Sequence, residues 1–453
     1  MKRTRWIALA WILLSSGISI LWGSSMDLSL RVGMADFKAV YYGSRCLLQH
    51  ADPYNESEFE RVYSADGGDF PTEPAMLLRF RRAVLVSINL PTSLLLIAPL
   101  AMLGWGPAHA LWLLFLAVSL IAAGFLMWDA GASYAPGLSL FLICMALANS
   151  EIIFISGNTA GIAIGLCAVA VWCFLKQRFE LVGVLCMAVS LAIKPHDTGL
   201  VWLFFLLAGG VYRKRALQTL VVTAMLCLPA ILWVSTVAPH WIPELKSNLA
   251  ATSAHGDLND PGPASIAFRN VNMVVDLQSV ISIIRDDPRI YNPVTWLMCG
   301  ALLLAGALRT VRSQCSLARA WIAIAAVAPL TMLVTYHRSY DAKLLLLGVP
   351  ACAMLWAEGG RIGRLALLAN AAGIVLTGDI PSAILIILAR HFQINPVGFS
   401  GKLLTILVMR PAPLALLAMG IFYLWVYMRH VPGEAAPAEQ TGPGKTPIAL
   451  AQS

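Results

Sequence analysis

Residues 108–128 read AHALWLLFLAVSLIAAGFLMW, a run of 21 residues without an Asp, Glu, Lys or Arg. A transmembrane α-helix needs about 20 mostly apolar residues to cross the hydrocarbon core of a bilayer. This run is therefore predicted to span a membrane as a helix. Twelve further apolar runs, long enough to span or nearly so, predict that most of the chain is built in the same way. They lie at about residues 6–23, 82–103, 136–155, 159–175, 179–193, 198–212, 216–237, 293–308, 318–334, 343–357, 362–377 and 412–428.

The composition points to the same class of protein. Of the 453 residues, 58% are hydrophobic and 12% are charged, whereas soluble domains carry about 25% charged residues. The chain is therefore predicted to be an all-α polytopic integral membrane protein. The net charge of +8 is spread over short connections between the apolar runs. This pattern is typical of cytoplasmic loops and gives no basic patch for nucleic acid.

The basic connections predict the orientation, because Lys and Arg are enriched on the cytoplasmic side. Counting back from Lys176 and Arg178 places the start of run 108–128 outside, where the first run also ends. Run 82–103 is therefore predicted not to cross but to form a re-entrant or interfacial segment. About twelve crossings remain, with both termini cytoplasmic, as expected for a protein of a bacterial inner or plasma membrane. The other basic connections are Lys2/Arg3/Arg5, Arg213/Lys214/Arg215, Arg309/Arg312/Arg319, Arg361/Arg364 and Arg429.

This topology divides the chain into a membrane domain and a tail. The membrane domain is predicted to cover residues 1–431 and to carry two long extracytoplasmic loops, residues 24–107 and 238–292. Residues 432–453, rich in Pro, Gly, Ala and Gln, are predicted to form a disordered cytoplasmic tail. Because the cytoplasmic connections are short and carry little besides Lys and Arg, chemistry is predicted on the outer face.

The first loop opens with an amphipathic helix pattern, MADFKAVYYGSRCLL at residues 34–48. Asp36 lies in its first turn, where a carboxylate meets both lipid and water. Asp36-Phe37, then Tyr41-Tyr42, then Asp52-Pro53-Tyr54 after a first transmembrane helix resemble the first extracytoplasmic loop of glycosyltransferase family 87. Two positions depart from the family pattern: Asn89-Leu90-Pro91-Thr92 replaces Tyr-Pro-Pro, and Gly157-Asn158 replaces Gly-Gln.

The resemblance implies a GT-C-like bundle with extracytoplasmic loop helices. It implies transfer of a sugar, mannose or another hexose or pentose, from a polyprenyl-phosphate donor to a lipid or glycan acceptor. In the family the early loop aspartate is the proposed catalytic base, which is Asp36 here. The alternative from the residues alone is an Asp that stabilises its own first helical turn.

Several basic residues at the outer ends of apolar runs are candidates for binding the donor phosphate. Ionisable groups at a bilayer are costly and therefore mark functional sites. Lys194 offers a point charge in the turn Lys194-Pro195-His196, which resembles a Lys-Pro turn of the family, although a lysine that marks the membrane boundary is the alternative. A second group of candidates lies in the sequence Tyr336-His337-Arg338-Ser339-Tyr340-Asp341. Here Arg338 could bind phosphate, His337 could stabilise or protonate it, and Asp341 could orient either side chain. The alternative is an Arg338–Asp341 ion pair that caps the next helix, or an Asp341–Lys343 pair. Further candidates are His196, Arg81 and Arg82.

Acceptor-binding candidates are weaker. They are Tyr41, Tyr42, Asn270, Asn272 and Gln278, of which the last three belong to a helically spaced polar face in the second loop. No metal or cofactor is predicted, because the chain has no Asp-x-Asp, H-E-x-x-H or nucleotide-binding motif and Lys and Arg suffice to neutralise a lipid monophosphate.

Three rival functions remain open from the sequence. A lipid or glycan transporter or flippase predicts ionisable groups near the bilayer midplane and a repeated half. A membrane enzyme of another class would place its chemistry on loop 238–292. A non-catalytic scaffold would tolerate removal of the Asp36 charge.

The expected partners are the bilayer, the donor and the acceptor, and the oligomeric state is left open.

Overall fold

The computed structural model describes residues 2–29, 33–266 and 274–429, and most of these residues are helical. One isolated antiparallel bridge joins Val274 to Arg338. The tail at 432–453 lies outside the described residues. The helices are α1 (Lys2–Ser29), α2 (Ala35–Leu48), α3 (Glu56–Ala65), α4 (Pro74–Phe80), α5 (Pro91–Ala101), α6 (Trp105–Gly131), α7 (Pro136–Leu147), α8 (Glu151–Ser156), α9 (Ala160–Lys176), α10 (Glu180–Ile193), α11 (Pro195–Ala208), α12 (Gly210–Val237), α13 (Trp241–Thr252), α14 (Gln278–Ile284), α15 (Pro288–Arg312), α16 (Leu317–Val334), α17 (Val349–Glu358), α18 (Gly360–Leu376), α19 (Asp379–His391), α20 (Gly398–Leu404) and α21 (Pro411–Arg429).

Within the described ranges, seven helical segments are long and apolar enough to cross a membrane: α1, α6, α12, α15, α16, the Ser339–Glu358 segment and α21. An eighth results if α18 and α19, which are bent by 65° at their junction, form one span. The prediction of an all-α polytopic membrane protein is confirmed. The count of about twelve crossings stays a prediction, because several of the predicted runs form helices of only 10–17 residues, among them α7, α9 and α10.

Helices α1 and α6 run antiparallel, as ion pairs at both ends of the two helices show. His109 Nε2 lies 3.0 Å from an Asp27 carboxylate oxygen at one end. Arg5 Nη2 lies 2.9 Å from Asp129 Oδ1 at the other. The chain between them therefore leaves and re-enters the bundle at the same end. The 82–103 stretch lies in this connection and consists of a π-helical turn, Arg81–Leu85, followed by α5. At about 1.5 Å per residue, α5 is much shorter than the hydrocarbon core of a bilayer.

The start of α2 is held against the turn between α8 and α9. The Met34 N–H donates to the Ile155 carbonyl at 2.8 Å, and the Trp112 indole donates to the Gly157 carbonyl at 2.8 Å. Phe37 stacks on Trp112 with ring centroids 4.6 Å apart. Gly157 has φ +65° and no room for a side chain, since a Cβ would lie 2.7 Å from that of Phe37. These contacts set the first turn of α2 beside residue 158.

The described parts of the second loop, residues 238–266 and 274–292, pack on the first loop and on the corner after α16. The Asn248 amide donates to the carbonyls of Tyr54 and Ser87, both at 3.0 Å. The Val275 N–H donates to the His337 carbonyl at 2.9 Å. Both loops therefore meet where α16 ends and a 3₁₀-helix, Ser339–Gly348, begins. The sequence predicted a helix over 343–357; in the structure this stretch is the end of the 3₁₀-helix followed by α17.

Candidate functional site

Asp36 lies in the first turn of α2 and is half-buried. Its carboxylate accepts a hydrogen bond of 2.7 Å from the Asn158 side-chain amide. The Asn158 side-chain oxygen in turn accepts from the Ala160 N–H at 2.8 Å and from the Lys194 ammonium at 3.5 Å. One amide side chain therefore separates the predicted catalytic carboxylate from the predicted phosphate-binding lysine.

Lys194 is enclosed by carboxylates, with 12% of its side chain exposed. Its ammonium lies 3.3 Å from Asp197 Oδ2 and is bonded to Asp341 Oδ1. It also lies 5.1 Å from the centre of the Tyr340 ring. Burial lowers the pKa of Lys194, but Asp197 and Asp341 outweigh burial and hold that pKa above its ordinary value. The lysine belongs to a buried ionic cluster and does not reach outward to mark a boundary.

The corner after α16 presents Arg338. Its backbone N–H donates to Asp341 Oδ2 at 2.8 Å, so Asp341 receives the arginine backbone on one oxygen and Lys194 on the other. The Arg338 guanidinium donates to the Tyr336 hydroxyl, to Asn259 Oδ1 at 3.3 Å and to the Leu258 carbonyl at 3.4 Å. The alternative of a side-chain ion pair between Arg338 and Asp341 is therefore not what the structure shows. Lys343 does not pair with Asp341 either, and donates to the Asn149 carbonyl.

His337 is fully buried and faces Asp197. Its Nδ1 lies 2.8 Å from the Thr335 carbonyl and its Nε2 lies 3.4 Å from Asp197 Oδ1. His196 Nε2 lies 3.4 Å from the same carboxylate oxygen. Burial lowers the pKa of His337, whereas Asp197 and Asp341 raise it, and the net direction is upward.

Six residues that the sequence predicted separately thus lie in one cluster: Asp36, Lys194, His196, His337, Arg338 and Asp341. Two members of the cluster were not among the predicted site residues. Asn158 was noted only as a departure from the family pattern, and Asp197 was not considered. Asp197 had a sequence signal, since an acid three residues after Lys194 in the first turn of a helix can reach the same lysine.

Arg81 and Arg82 have carboxylate partners in the loops. Arg81 donates to Glu56 at 2.8 Å and to Glu60 at 2.7 Å. Arg82 Nε lies 3.1 Å from Asp257 Oδ2, next to the Leu258 carbonyl that Arg338 contacts. Arg81 therefore ties α3 to the end of α4, and Arg82 ties the first loop to the second. Their phosphate-binding role stays a prediction.

The predicted acceptor residues lie in other surroundings. Tyr41 and Tyr42 are buried in an aromatic group with Trp105, and the Tyr41 hydroxyl donates to the Leu103 carbonyl at 2.7 Å. Gln278 is buried and donates to Asn292 at 2.8 Å. Asn270 and Asn272 lie outside the described residues. The acceptor-binding role of all five stays a prediction.

A second group of buried charges lies near the first. Asp379, at the start of α19, accepts from the Ile152 N–H at 2.9 Å. Glu151 and Lys343 interact with it electrostatically. Burial and, to a smaller extent, the neighbouring Asp379 raise the pKa of Glu151 to about 7, whereas a backbone N–H and Lys343 act in the opposite direction. Sequence reasoning missed this group because its members come from three distant parts of the chain.

Comparison with protein-family models, curated proteins and solved structures gave no match. The resemblance to glycosyltransferase family 87 therefore rests on the motifs of the first loop and on the residues that line up with them.

Proposed function

We propose that this chain is a membrane glycosyltransferase that moves a sugar from a polyprenyl-phosphate donor to a lipid or glycan acceptor on the extracytoplasmic face. The observation that supports this most is the Asp36–Asn158–Lys194 chain of hydrogen bonds. Through one amide, it joins a half-exposed carboxylate to the buried ionic cluster that contains Lys194. A base for an acceptor hydroxyl and a binding site for a leaving phosphate are the two parts that such a displacement needs.

In the proposed reaction the acceptor hydroxyl binds at Asp36, which takes its proton. The acceptor oxygen forms a bond to the anomeric carbon from the face opposite the phosphate. The bond between that carbon and the phosphate oxygen breaks, and the electron pair leaves with the phosphate. A single displacement of this kind inverts the anomeric configuration.

Arg338 is the best-suited phosphate ligand of the predicted basic residues. Its guanidinium donates to the neutral oxygens of Tyr336, Asn259 and Leu258, so no hydrogen-bonded carboxylate neutralises its charge. Arg81, in contrast, is bonded to two glutamates. Lys194 lies in the same cluster, but Asp197 and Asp341 bond to its ammonium. The phosphate is therefore assigned to Arg338, whose planar guanidinium binds phosphate through two hydrogen bonds.

The test is the rate of sugar transfer by purified Asp36→Asn protein that is supplied with polyprenyl-phosphate sugars. Removing a general base lowers the rate by about 100-fold or more. The matched control is Asp66→Asn, which removes a carboxylate of the same loop that is bonded to Arg45 and should keep wild-type activity. Full activity in Asp36→Asn, in a preparation that transfers sugar, would overturn the assignment of the base.

A second candidate is a transporter or flippase, which the buried Glu151, Lys343 and Asp379 favour. Lys343 lies inside a candidate span, and Asp379 lies at the bend of the α18–α19 pair. Buried ionisable groups at such places are typical of ion and substrate pathways. If the protein is a transporter, Glu151→Gln and Lys343→Met should stop the movement of a fluorescent polyprenyl phosphate across the membrane of a proteoliposome, and Asp36→Asn should not. If it is a glycosyltransferase, the wild-type protein should not move this lipid.

A further inference from the structure

We infer that His196, Asp197 and His337 bind a divalent transition-metal ion, a site that departs from the metal-free expectation of the sequence. One ligand atom from each residue lies within 4.8 Å of the other two. The two imidazole nitrogens are each 3.4 Å from Asp197 Oδ1. The inference concerns the ion alone and does not depend on the proposed reaction.

The spacing suits a tetrahedral ion. Imidazole nitrogens and carboxylate oxygens bind Zn²⁺ at about 2.0–2.2 Å. Two ligand atoms at such distances from a tetrahedral centre are about 3.4 Å apart. Both nitrogen–oxygen distances in the cluster therefore equal an edge of such a site.

The hydrogen bonding of His337 directs Nε2 toward Asp197. Nδ1 lies 2.8 Å from the Thr335 carbonyl and donates to it. Nε2 faces Asp197 Oδ1 at 3.4 Å, and both atoms are buried without a hydrogen-bond partner that meets normal geometry. A metal-bound histidine commonly donates its other N–H to a carbonyl in this way.

The charges around the site also call for a cation. Three carboxylates, Asp36, Asp197 and Asp341, face two permanently charged bases, Lys194 and Arg338. Asp197 and Asp341 share the one ammonium of Lys194. A divalent ion on Asp197 compensates the surplus.

Two imidazoles and one carboxylate are a donor set of Zn²⁺ and of non-haem Fe²⁺, and imidazole ligands disfavour Mg²⁺ and Ca²⁺. The His196 side chain is 44% exposed, so the site opens to the outside and leaves a coordination position for water or an oxygen ligand. His337, at the buried side, would hold the ion next to the cluster of Lys194.

The test is the metal content of the full chain, purified in detergent through a tag without histidine. The chain is treated with chelator, incubated with Zn²⁺, freed of excess ion and analysed by inductively coupled plasma mass spectrometry. We expect about one tightly held Zn²⁺ per chain in the wild-type protein. His337→Gln and Asp197→Asn should lose at least about nine-tenths of it, as expected for ligand removal.

Two further variants keep the test decisive. His196→Gln changes an exposed side chain, so it should fold normally and still lower Zn²⁺ affinity by about 10-fold or more. His109→Gln is the matched control, because His109 lies beside a single carboxylate, Asp27, and it should keep full Zn²⁺ content. A wild-type chain without bound Zn²⁺, or equal Zn²⁺ in the wild-type protein and in His196→Gln, would overturn the inference. A proton shared by His337 and Asp197 would then explain their close approach.

Discussion

The Asn158 side-chain amide donates a hydrogen bond of 2.7 Å to Asp36 Oδ2 from a position 122 residues further along the chain. Its oxygen faces the opposite way, toward the Ala160 N–H and the Lys194 ammonium. A carboxylate only accepts hydrogen bonds and an ammonium only donates them. The amide therefore has one orientation that satisfies both neighbours, and it holds the carboxylate and the lysine at a fixed separation.

Asn158→Leu should lower glycosyl transfer by about 10- to 100-fold, because a hydrogen bond to a charged group contributes about 1.5–3 kcal/mol. The measurement is kcat/KM with a polyprenyl-phosphate sugar. Asn158→Gln keeps the amide and should retain more activity than Asn158→Leu. Equal activity of Asn158→Leu and the wild-type protein would contradict a positioning role for this amide.

Gly157→Ala should destabilise the protein by about 2–5 kcal/mol. An alanine at φ +65° is strained by about 1–2 kcal/mol, and its Cβ would overlap Met34 and Phe37, which adds about 1–3 kcal/mol. Thermal unfolding in detergent measures the effect. The control is Gly137→Ala in α7, where a new Cβ meets no atom within 4 Å, so its melting temperature should not fall. Equal melting temperatures for the two variants would refute this account of Gly157.

Lys194→Met and Asp341→Asn should each destabilise the protein by about 3–5 kcal/mol, because each leaves the other charge buried without its partner. The double variant should be more stable than the sum of the two losses predicts, because it leaves fewer uncompensated charges. A double-mutant cycle of unfolding free energies in detergent measures this coupling. Simple additivity would show that the two groups do not interact as the structure indicates.

The pH dependence of stability should contain a contribution from Glu151. Its pKa is raised from 4.5 to about 7 by burial and by Asp379, against a backbone N–H and Lys343. Between these pH values the folded protein binds more protons than the unfolded chain, so stability falls as pH rises through this window. The loss is complete above about pH 7 and amounts to about 3 kcal/mol.

Glu151→Gln should therefore raise the melting temperature at pH 8 and change it little at pH 4.5. Glu73→Gln, a change at an exposed glutamate, is the control and should not alter the pH profile in this window. A stability that rises between pH 4.5 and 7 by the same amount in the wild-type protein and in Glu151→Gln would contradict the assignment.

A cysteine at Gly104, an exposed position between α5 and α6, should react with a membrane-impermeant maleimide added outside intact cells. The proposed orientation places this turn on the extracytoplasmic side because α1 ends beside the start of α6. Cys315, in a basic connection predicted to be cytoplasmic, is a built-in control that should react only after the membrane is opened. Labelling of Cys315 from outside, with Gly104→Cys protected, would reverse the orientation.

The sequence alone determined that this is a helical membrane protein and where its long helices lie. Run 108–128 became α6 at Trp105–Gly131, and run 318–334 became α16 at Leu317–Val334. Both results follow from local properties, since the length of an apolar run decides whether one helix can cross a bilayer. The same local reasoning marked Asp36, Lys194 and His337, because polar groups that interrupt or bound apolar runs are costly unless they have a use.

Only the tertiary structure decided which of these groups meet. Lys194 and Asp341 are 147 residues apart, and their pairing depends on how α10, α11 and α16 pack. The roles of Asn158 and Asp197, and the group of Glu151, Lys343 and Asp379, were likewise inaccessible to a reading of single segments. A local pattern records the cost of placing a charge near lipid, but the partner that offsets this cost comes from another helix, and only the packed bundle identifies it.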